Sequence, residues 1–225
     1  MRGFVSAIIV AGGQSARFGA DKQFALLCGI PVIARTMAAF QHNARVNEIV
    51  VVTREEHIER VKTLATEYKI EKLTAVVAGG NTRGESVRNG VYAASKKCDL
   101  AAIHDGARPL VSDGIITSAI ERAAKFHAAI PVVPVTSTIK RVENSVIRET
   151  PDRSELYEAQ TPQVFNMDLL KAAIERGGDA TDDASLVEAL GAAVHTVAGS
   201  RLNIKITTPE DLTVAEALFK VLPCE

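Results

Sequence analysis

The sequence predicts an α/β fold: a mostly parallel, twisted sheet with helices on both faces. Two patterns predict it. Short runs rich in β-branched residues alternate with stretches of helical periodicity, as in successive β-α-β units. No repeat, low-complexity tract or linker divides the 225 residues, and an apolar share of 47% with 24% charged residues suits one globular domain with a sizeable core.

Taken in order, Val5–Val10 reads as a buried strand. Its apolar stretch is short and runs straight into Gly12-Gly13, which favours a first strand over a secretory leader. Pro31–Phe40 reads as a helix with Pro31 at its first position. Glu48–Thr53 is a strand, and Glu55–Lys69 a helix with Ile58, Val61, Leu64, Ala65 and Tyr68 on one face. Leu73–Val77, Leu100–His104 and Ile130–Val135 are strands, separated by helices over Arg83–Lys97 and Asp113–Phe126. Further on, Asn166–Arg176 is helical and stops at Gly177-Gly178. Thr181–Leu190 is a helix with Thr181, Asp182 and Asp183 as capping candidates. His195–Val197 and Asn203–Ile206 are short strands. Thr208–Leu222 closes the chain as a helix, with Pro209 in its first turn and Glu210 and Asp211 complementing its dipole. Together these elements make a Rossmann-like three-layer sandwich.

One stretch breaks the rhythm. Residues 136–152 are polar and hold two short extended pieces, Ser137–Val142 and Val146–Glu149, joined by a turn at Glu143-Asn144-Ser145. An isolated two-stranded hairpin is marginal in water, so Ile139, Val142, Val146 and Ile147 need a surface to pack on. Two readings stand: an arm that grips a second subunit, the favoured one, or a hairpin folded onto its own domain.

Bulk charge excludes several functions. A net charge of −1 gives no field for nucleic acid or an anionic membrane, so any anion site must be a local cluster. No apolar run approaches the ~20 residues of a membrane span. Three separated cysteines, Cys28, Cys98 and Cys224, argue against a disulfide framework or a structural zinc site and for a reducing compartment, the cytoplasm.

The chemistry concentrates after the first strand. Gly12 and Gly13 let backbone N–H groups approach a phosphate. With glycines at 12, 13 and 19 the segment fails the dinucleotide fingerprint, and Ala20-Asp21-Lys22 after Gly19 fails the P-loop pattern. A glycine pair followed by Arg17, Gly19 and Lys22 suits a triphosphate, whose leaving group two fixed cations would stabilise. A plain strand–turn–helix connection with solvated basic residues is the alternative.

The segment Ala11-Gly12-Gly13-Gln14-Ser15-Ala16-Arg17-Phe18-Gly19 with Lys22-Gln23 resembles the signature loop of nucleotidyltransferases that activate sugars and polyols. Further segments extend the likeness over nearly the whole chain: Gly79-Gly80-Asn81-Thr82-Arg83-Gly84-Glu85-Ser86, His104-Asp105-Gly106-Ala107-Arg108-Pro109, Asp152-Arg153, Gln160-Thr161-Pro162-Gln163, Thr181-Asp182-Asp183-Ala184-Ser185 and Asn203-Ile204-Lys205-Ile206-Thr207. Each is weak alone; their order and spacing together resemble the 2-C-methyl-D-erythritol 4-phosphate cytidylyltransferase family. Two departures stand out. Asp21 occupies a position where the family usually has Pro, and it either dampens the local positive charge or points away. Gly106 replaces a common Ala, a swap that removes only a methyl group and is expected to matter little.

The resemblance implies CTP and methylerythritol phosphate as substrates and transfer of CMP with release of pyrophosphate. It assigns Arg17, Lys22, Arg153 and Lys205 to catalysis. The nucleotide set is Ala11, Gly12, Gly13, Gly80, Asn81, Arg83, Ser86 and Asp105, with Gly80, Asn81 and Ser86 at the cytosine. The acceptor set is Asp105, Arg108, Thr138, Arg153, Thr181 and Lys205. A salt bridge to Asp105 is the rival role for Arg108. Asp105 is the candidate ligand of Mg²⁺ or another divalent cation, since a hard cation takes carboxylate together with phosphate and water. The resemblance also implies a homodimer in which the arm completes the partner's site. His104 reads as structural, because a phosphate monoester is already an anion near neutral pH and needs no general base. Another polyol phosphate such as ribitol 5-phosphate, or a non-catalytic nucleotide-binding protein, are the rival readings.

Overall fold

The computed structural model describes residues 3–13, 17–19, 21–178 and 181–221. Gln14, Ser15, Ala16 and Ala20 of the glycine-rich segment, Leu222 of the expected last helix, and Cys224 lie outside the described residues.

The first half alternates as expected. Strand β1 (Phe4–Val10) leads through a small hairpin, β2 (Leu26–Leu27) and β3 (Ile30–Pro31), into helix α1 (Val32–His42). Then follow β4 (Glu48–Thr53), α2 (Ile58–Glu67), β5 (Leu73–Ala78), α3 (Arg83–Ala93), β6 (Cys98–Asp105), α4 (Asp113–Phe126) and β7 (Ala128–Pro134). The second half contains the hairpin β8 (Arg141–Glu143) and β9 (Val146–Glu149), then β10 (Tyr157–Ala159), β11 (Gln163–Asn166), α5 (Met167–Arg176), α6 (Asp183–Ala189), β12 (His195–Ala198) and α7 (Pro209–Val221).

Among the described residues the main sheet has eight strands, ordered β10-β7-β11-β6-β1-β4-β5, with β12 also on β7. The pairs β1–β4, β1–β6, β4–β5 and β12–β7 are parallel, while β10 and β11 run antiparallel. Successive side chains of a strand face opposite layers. Ala7, Ile9 and Val51 therefore pack with Met37, Phe40, Val61 and Ile116, from α1, α2 and α4. Ile8, Val50, Val52 and Ile103 pack with Val87, Leu170 and Val187, from α3, α5 and α6. This is the three-layer sandwich.

Several boundaries differ from expectation, each for a local reason. Pro31 is the residue before α1, at φ −54° and ψ 138°, because it still pairs with Leu26 in the small hairpin. The α2 segment opens as a 3₁₀ turn over Glu55–His57. Helix α3 stops at Ala93, where Ala94 turns extended, not at Lys97. Helix α6 starts at Asp183, because Asp182 takes the cap position and accepts from Ser185 N. Residues 203–206 form no strand: Ile206 N donates to Ala107 O and Asn203 is pinned by its side chain, leaving no neighbouring strand to pair with. The antiparallel strands β10 and β11 were not expected at all.

The hairpin β8–β9 closes through Asn144 and Ser145, both left-handed at φ 49° and 63°, the geometry of a tight primed turn. It does not fold back on its own domain. Val142, Val146 and Ile147 are 55–59% exposed.

Candidate active site

Strands β1, β4, β5 and β6 end side by side, and the loops that follow them face one crevice, the place where open α/β sheets bind ligands. The cleft there measures about 390 Å³. Of the residues expected to bind, Gly12, Gly13, Lys22, Gly80, Asn81, Arg83, Ser86, Asp105 and Lys205 line it.

One wall is the loop after β5. Thr82 caps α3 by accepting from Glu85 N at 3.1 Å, and the Glu85 carboxylate reaches back to Thr82 N and, at 2.6 Å, to Asn81 N. The Gly80 backbone lies so close to Glu85 that an added Cβ would fall 2.3 Å from the Glu85 Cβ, so only glycine fits. Ser86 accepts from Gly80 N and donates its own proton to Thr82 O. Its hydroxyl therefore shapes the loop and can only accept from a ligand. The Asn81 side chain remains exposed to the cleft.

The floor is an ion cluster around Asp105, which is 8% exposed. Lys205 Nζ lies 2.9 Å from its Oδ2, Arg108 Nε 3.5 Å from the same oxygen, and Arg83 Nε 3.7 Å from Oδ1. Burial alone would raise this carboxyl; Lys205, Arg83 and Arg108 override it and bring it to about 2. Arg83 also binds the buried Asp183 at 2.8 Å, and burial pushes the Asp183 carboxyl up despite that partner. Arg83 is thus clamped between two carboxylates supplied by β6 and α6.

Lys205 reaches Asp105 because three loops are tied together behind it. The Gln160 side chain binds both backbone groups of Ser200, Asn203 Nδ2 donates to Thr161 O at 3.0 Å, and Arg108 Nη1 donates to Asn203 O at 2.7 Å. Gln163 binds Asp182 and Ala184 N and so anchors the start of α6. His104 belongs to this scaffold. It is fully buried, accepts from Thr161 Oγ at Nδ1, donates from Nε2 to Arg108 O, and is held by burial to about 4, hence neutral.

The glycine-rich segment supplies the roof. Gly19 adopts φ +74°, which favours glycine. Lys22 opens a 3₁₀ turn over Lys22–Phe24. Burial lowers its ammonium, Lys205 and Arg17 add to that, and Asp105 opposes them. Asp21 points away from this group: its carboxylate accepts from Gln23 N and meets Arg54 and His57, each at 2.6 Å.

A model of the IspD family, 2-C-methyl-D-erythritol 4-phosphate cytidylyltransferase, matches residues 5–221. The chain belongs to this family. It is 47% identical over 220 residues to the 2-C-methyl-D-erythritol 4-phosphate cytidylyltransferase of Halalkalibacterium halodurans, covering 95% of this chain and 96% of that one. A relative of the same name from Dehalococcoides mccartyi is 46% identical over 219 residues, with 96% of each chain covered. Among solved structures, the Thermus thermophilus enzyme of that name superposes with a TM-score of 0.80 at 35% identity, over 97% of this chain and all of the other. The 4-diphosphocytidyl-2C-methyl-D-erythritol synthase of Anaerococcus prevotii gives 0.87 at 29% identity, with 97% of both chains covered.

Six residues assigned through the family likeness do not line the cleft of this single chain: Ala11, which is buried at the root of the loop, and Arg17, Arg108, Thr138, Arg153 and Thr181. Arg17 is exposed on the loop, yet near enough to bear on Lys22. Arg108 takes the rival role: its side chain, 13% exposed, is held between Asp105 and Asn203 O. Thr138 and Arg153 are exposed beside the arm, Arg153 binding Thr136 O, and Thr181 is exposed ahead of α6. Three residues lining or shaping the cleft were missed. Asp183 was read only as a cap, although it anchors Arg83. Arg54 follows directly on the end of β4, a position that could have flagged it. Gln23 is 4% exposed on the cleft floor with no partner for its Oε1 among the described residues. Gly106, where the missing methyl is expected to matter little, sits in a tight spot. A Cβ there would lie 3.0 Å from both Ala11 Cβ and Gln23 Oε1 and 3.1 Å from Ile33 Cδ1.

Proposed function

We propose that this chain transfers the cytidylyl group of CTP to 2-C-methyl-D-erythritol 4-phosphate, giving 4-diphosphocytidyl-2-C-methyl-D-erythritol and pyrophosphate for isoprenoid precursor synthesis. The observation that carries the reading is the group of Lys22, Arg83 and Lys205 lining one cleft above Gly12 and Gly13. Two polyanions must meet in this reaction, and preorganised cations in a partly dry cleft oppose their repulsion.

The acceptor's phosphate oxygen attacks the α-phosphorus in line; the new P–O bond forms as the bond to pyrophosphate breaks. Its second pKa is near ~6, so no base is required, consistent with a His104 that offers no free nitrogen. Lys22 and Arg17 face the triphosphate and stabilise charge on the leaving pyrophosphate. Gly80 and Asn81 read the cytosine edge, with Ser86 as an acceptor for its amino group. Lys205 holds the acceptor phosphate beside Asp105.

Mg²⁺ or another divalent cation fits this donor set. Among the described residues no three His, Cys, Asp or Glu side chains gather to hold an ion, so Asp105 would contribute one carboxylate and the phosphates and water the remainder. Such an ion would neutralise triphosphate charge.

The exposed apolar arm supports a homodimer, with 136–152 as the gripping segment. Thr138 and Arg153, absent from their own cleft, would then serve the neighbouring subunit's acceptor site. Among the described residues no helix is long and apolar enough to cross a membrane, and the three scattered cysteines favour the cytoplasm.

The test is pyrophosphate release with each nucleoside triphosphate against methylerythritol phosphate and ribitol 5-phosphate. CTP with methylerythritol phosphate is expected to dominate. Lys22→Ala at saturating CTP should lower turnover by ~10²–10³; activity within a few-fold of the parent would remove the assigned role.

A further inference from the structure

We propose that Asp21, Arg54 and His57 form a latch that fixes the Lys22 turn against the β4–α2 connection, which makes all three positioning residues for transfer. The proposal rests on the cytidylyl-transfer reading of the cleft and adds a source of order for its lysine.

Lys22 sits at the start of a three-residue 3₁₀ turn. Such a turn has few internal hydrogen bonds and little rigidity of its own. Both of its ends are instead docked on the 54–60 segment. At the front, Asp21 Oδ1 accepts from Gln23 N at 3.1 Å and so caps the turn, while Asp21 Oδ2 meets Arg54 Nη2 and His57 Nε2 at 2.6 Å each. At the back, Phe24 is held edge-on by the His57 ring, with centroids 4.9 Å apart, and covered by the Arg60 guanidinium at 3.8 Å. His57 therefore touches both ends.

The imidazole satisfies one of its two partners in each tautomer. A proton on Nε2 is donated to Asp21; with the proton on Nδ1, Nε2 accepts from Arg54, which lies 2.5 Å away. The Asp21 and His57 side chains are each 17% exposed, so this cluster is screened less than a surface ion pair.

The cluster also explains how an acid is tolerated beside the catalytic lysine. The charges that bear most on Lys22 are Lys205, Asp105, Arg17 and Asp211. Asp21 faces the other way and is neutralised by Arg54. The residue that breaks the family's usual pattern is thus matched by two partners 33 and 36 positions along the chain.

Asp21→Asn keeps the shape and the cap acceptor but loses the charge. It should lower kcat at saturating substrates on the order of tenfold, since small misplacements of a catalytic group are costly, and leave the calorimetric Kd for CTP within about threefold. Amides 22–24 should lose hydrogen-exchange protection. Arg54→Gln should lower kcat and loosen amides 22–24 alike, and the kcat of the double variant should be no worse than that of the poorer single one, because both act through one cluster. His57→Gln, which retains a donor, should recover part of the loss seen in His57→Ala. Additive losses, unchanged protection at 22–24, or a rise in CTP Kd that accounts for the whole deficit would overturn the latch. A parent protein that releases no pyrophosphate from CTP with any polyol phosphate would instead sink the transfer reading, and the latch with it.

Discussion

The crevice and the arm are opposites in what they expose. In the crevice, ionised groups are buried: Asp105 and Asp183 lie under Arg83, Arg108 and Lys205. On the β8–β9 arm, apolar groups are exposed and the ion pairs among the described residues, Arg141–Glu149 and Arg148–Glu143, lie on its surface. Buried charges are retained where a function needs a field, because desolvating them is costly. Exposed apolar patches mark surfaces that await a partner. The difference teaches that the buried charges of the crevice find their partners within one chain, whereas the apolar side chains of the arm do not.

The largest expected effect strikes the crevice. Lys205→Ala removes the 2.9 Å partner of Asp105 and one cation from the cleft. Steady-state kinetics should show kcat/KM for the acceptor reduced by ~10²–10³, with a much smaller fall in thermal stability because Arg83 and Arg108 still face Asp105. A loss confined to stability would mean that the cluster holds the fold and not the substrate.

A second effect reads the burial of the crevice through pH. Both relevant groups have depressed values: His104 about 4 against an ordinary 6.5, Asp105 about 2 against 3.8. Below 6.5 the unfolded chain takes up a proton that folded His104 refuses until about 4. Its stability contribution is therefore full above 6.5 and disappears as pH falls to 4. The Asp105 contribution follows, lost between 3.8 and 2. Denaturant titrations of the parent should lose roughly 3 kcal/mol between pH 7 and 4 from His104 alone. In His104→Gln that component should vanish; an unchanged pH slope would show the imidazole to be solvated.

How much of this contrast was legible in the sequence depends on how local its causes are. The bounds of β4 and α4 match those read from the sequence, because β-branched runs and helical periodicity are local signals. Strands β10 and β11 were missed because they are short and their partners are distant: β10 pairs with β7 some twenty-five residues earlier, and β11 with β7 and β6 at about 35 to 65 residues. Residues 203–206 show the reverse: Asn-Ile-Lys-Ile alternates like a strand, but its partners are a carbonyl of Ala107 and the side chain of Gln160. The site divides the same way. Gly12, Gly80 and Lys22 announce themselves by glycine and charge. The pairing of Arg83 with Asp183 spans a hundred positions, and that of Asp105 with Lys205 as many, so only the fold brings them together.

On the arm, the comparison can be broken by one charge. Ile147→Asp places a carboxylate on a side chain that is 59% exposed and carries no core role. If the arm grips a second copy, sedimentation should shift from a dimer to a monomer. Turnover should fall about tenfold or more as Thr138 and Arg153 leave the neighbour's site, a loss of positioning. Binding of CTP, which needs only the crevice, should persist. A variant that stays dimeric, or a monomer with full turnover, would detach the arm from both roles.

The smallest effect sharpens the crevice side. Gly106→Ala restores the residue common in the family, yet here a methyl group would press at 3.0 Å on Ala11 Cβ and on Gln23 Oε1, and at 3.1 Å on Ile33 Cδ1. Ala11, Gln23 and Ile33 are all buried, so none has open space to retreat into, and Ala11 lies at the root of the glycine-rich loop. Overpacking of this size costs about 1 kcal/mol, a fall in Tm of roughly 2–4 °C for a domain of this length. Ala11 N is held to Val52 O at 2.7 Å, and a shift of Ala11 would be passed on to Gly12, which lines the cleft. The KM for CTP should therefore rise a few-fold while that for the acceptor stays constant. A variant as stable as the parent with an unaltered KM would mean that Gln23, whose Oε1 has no partner to lose, swings aside and leaves the loop where it was.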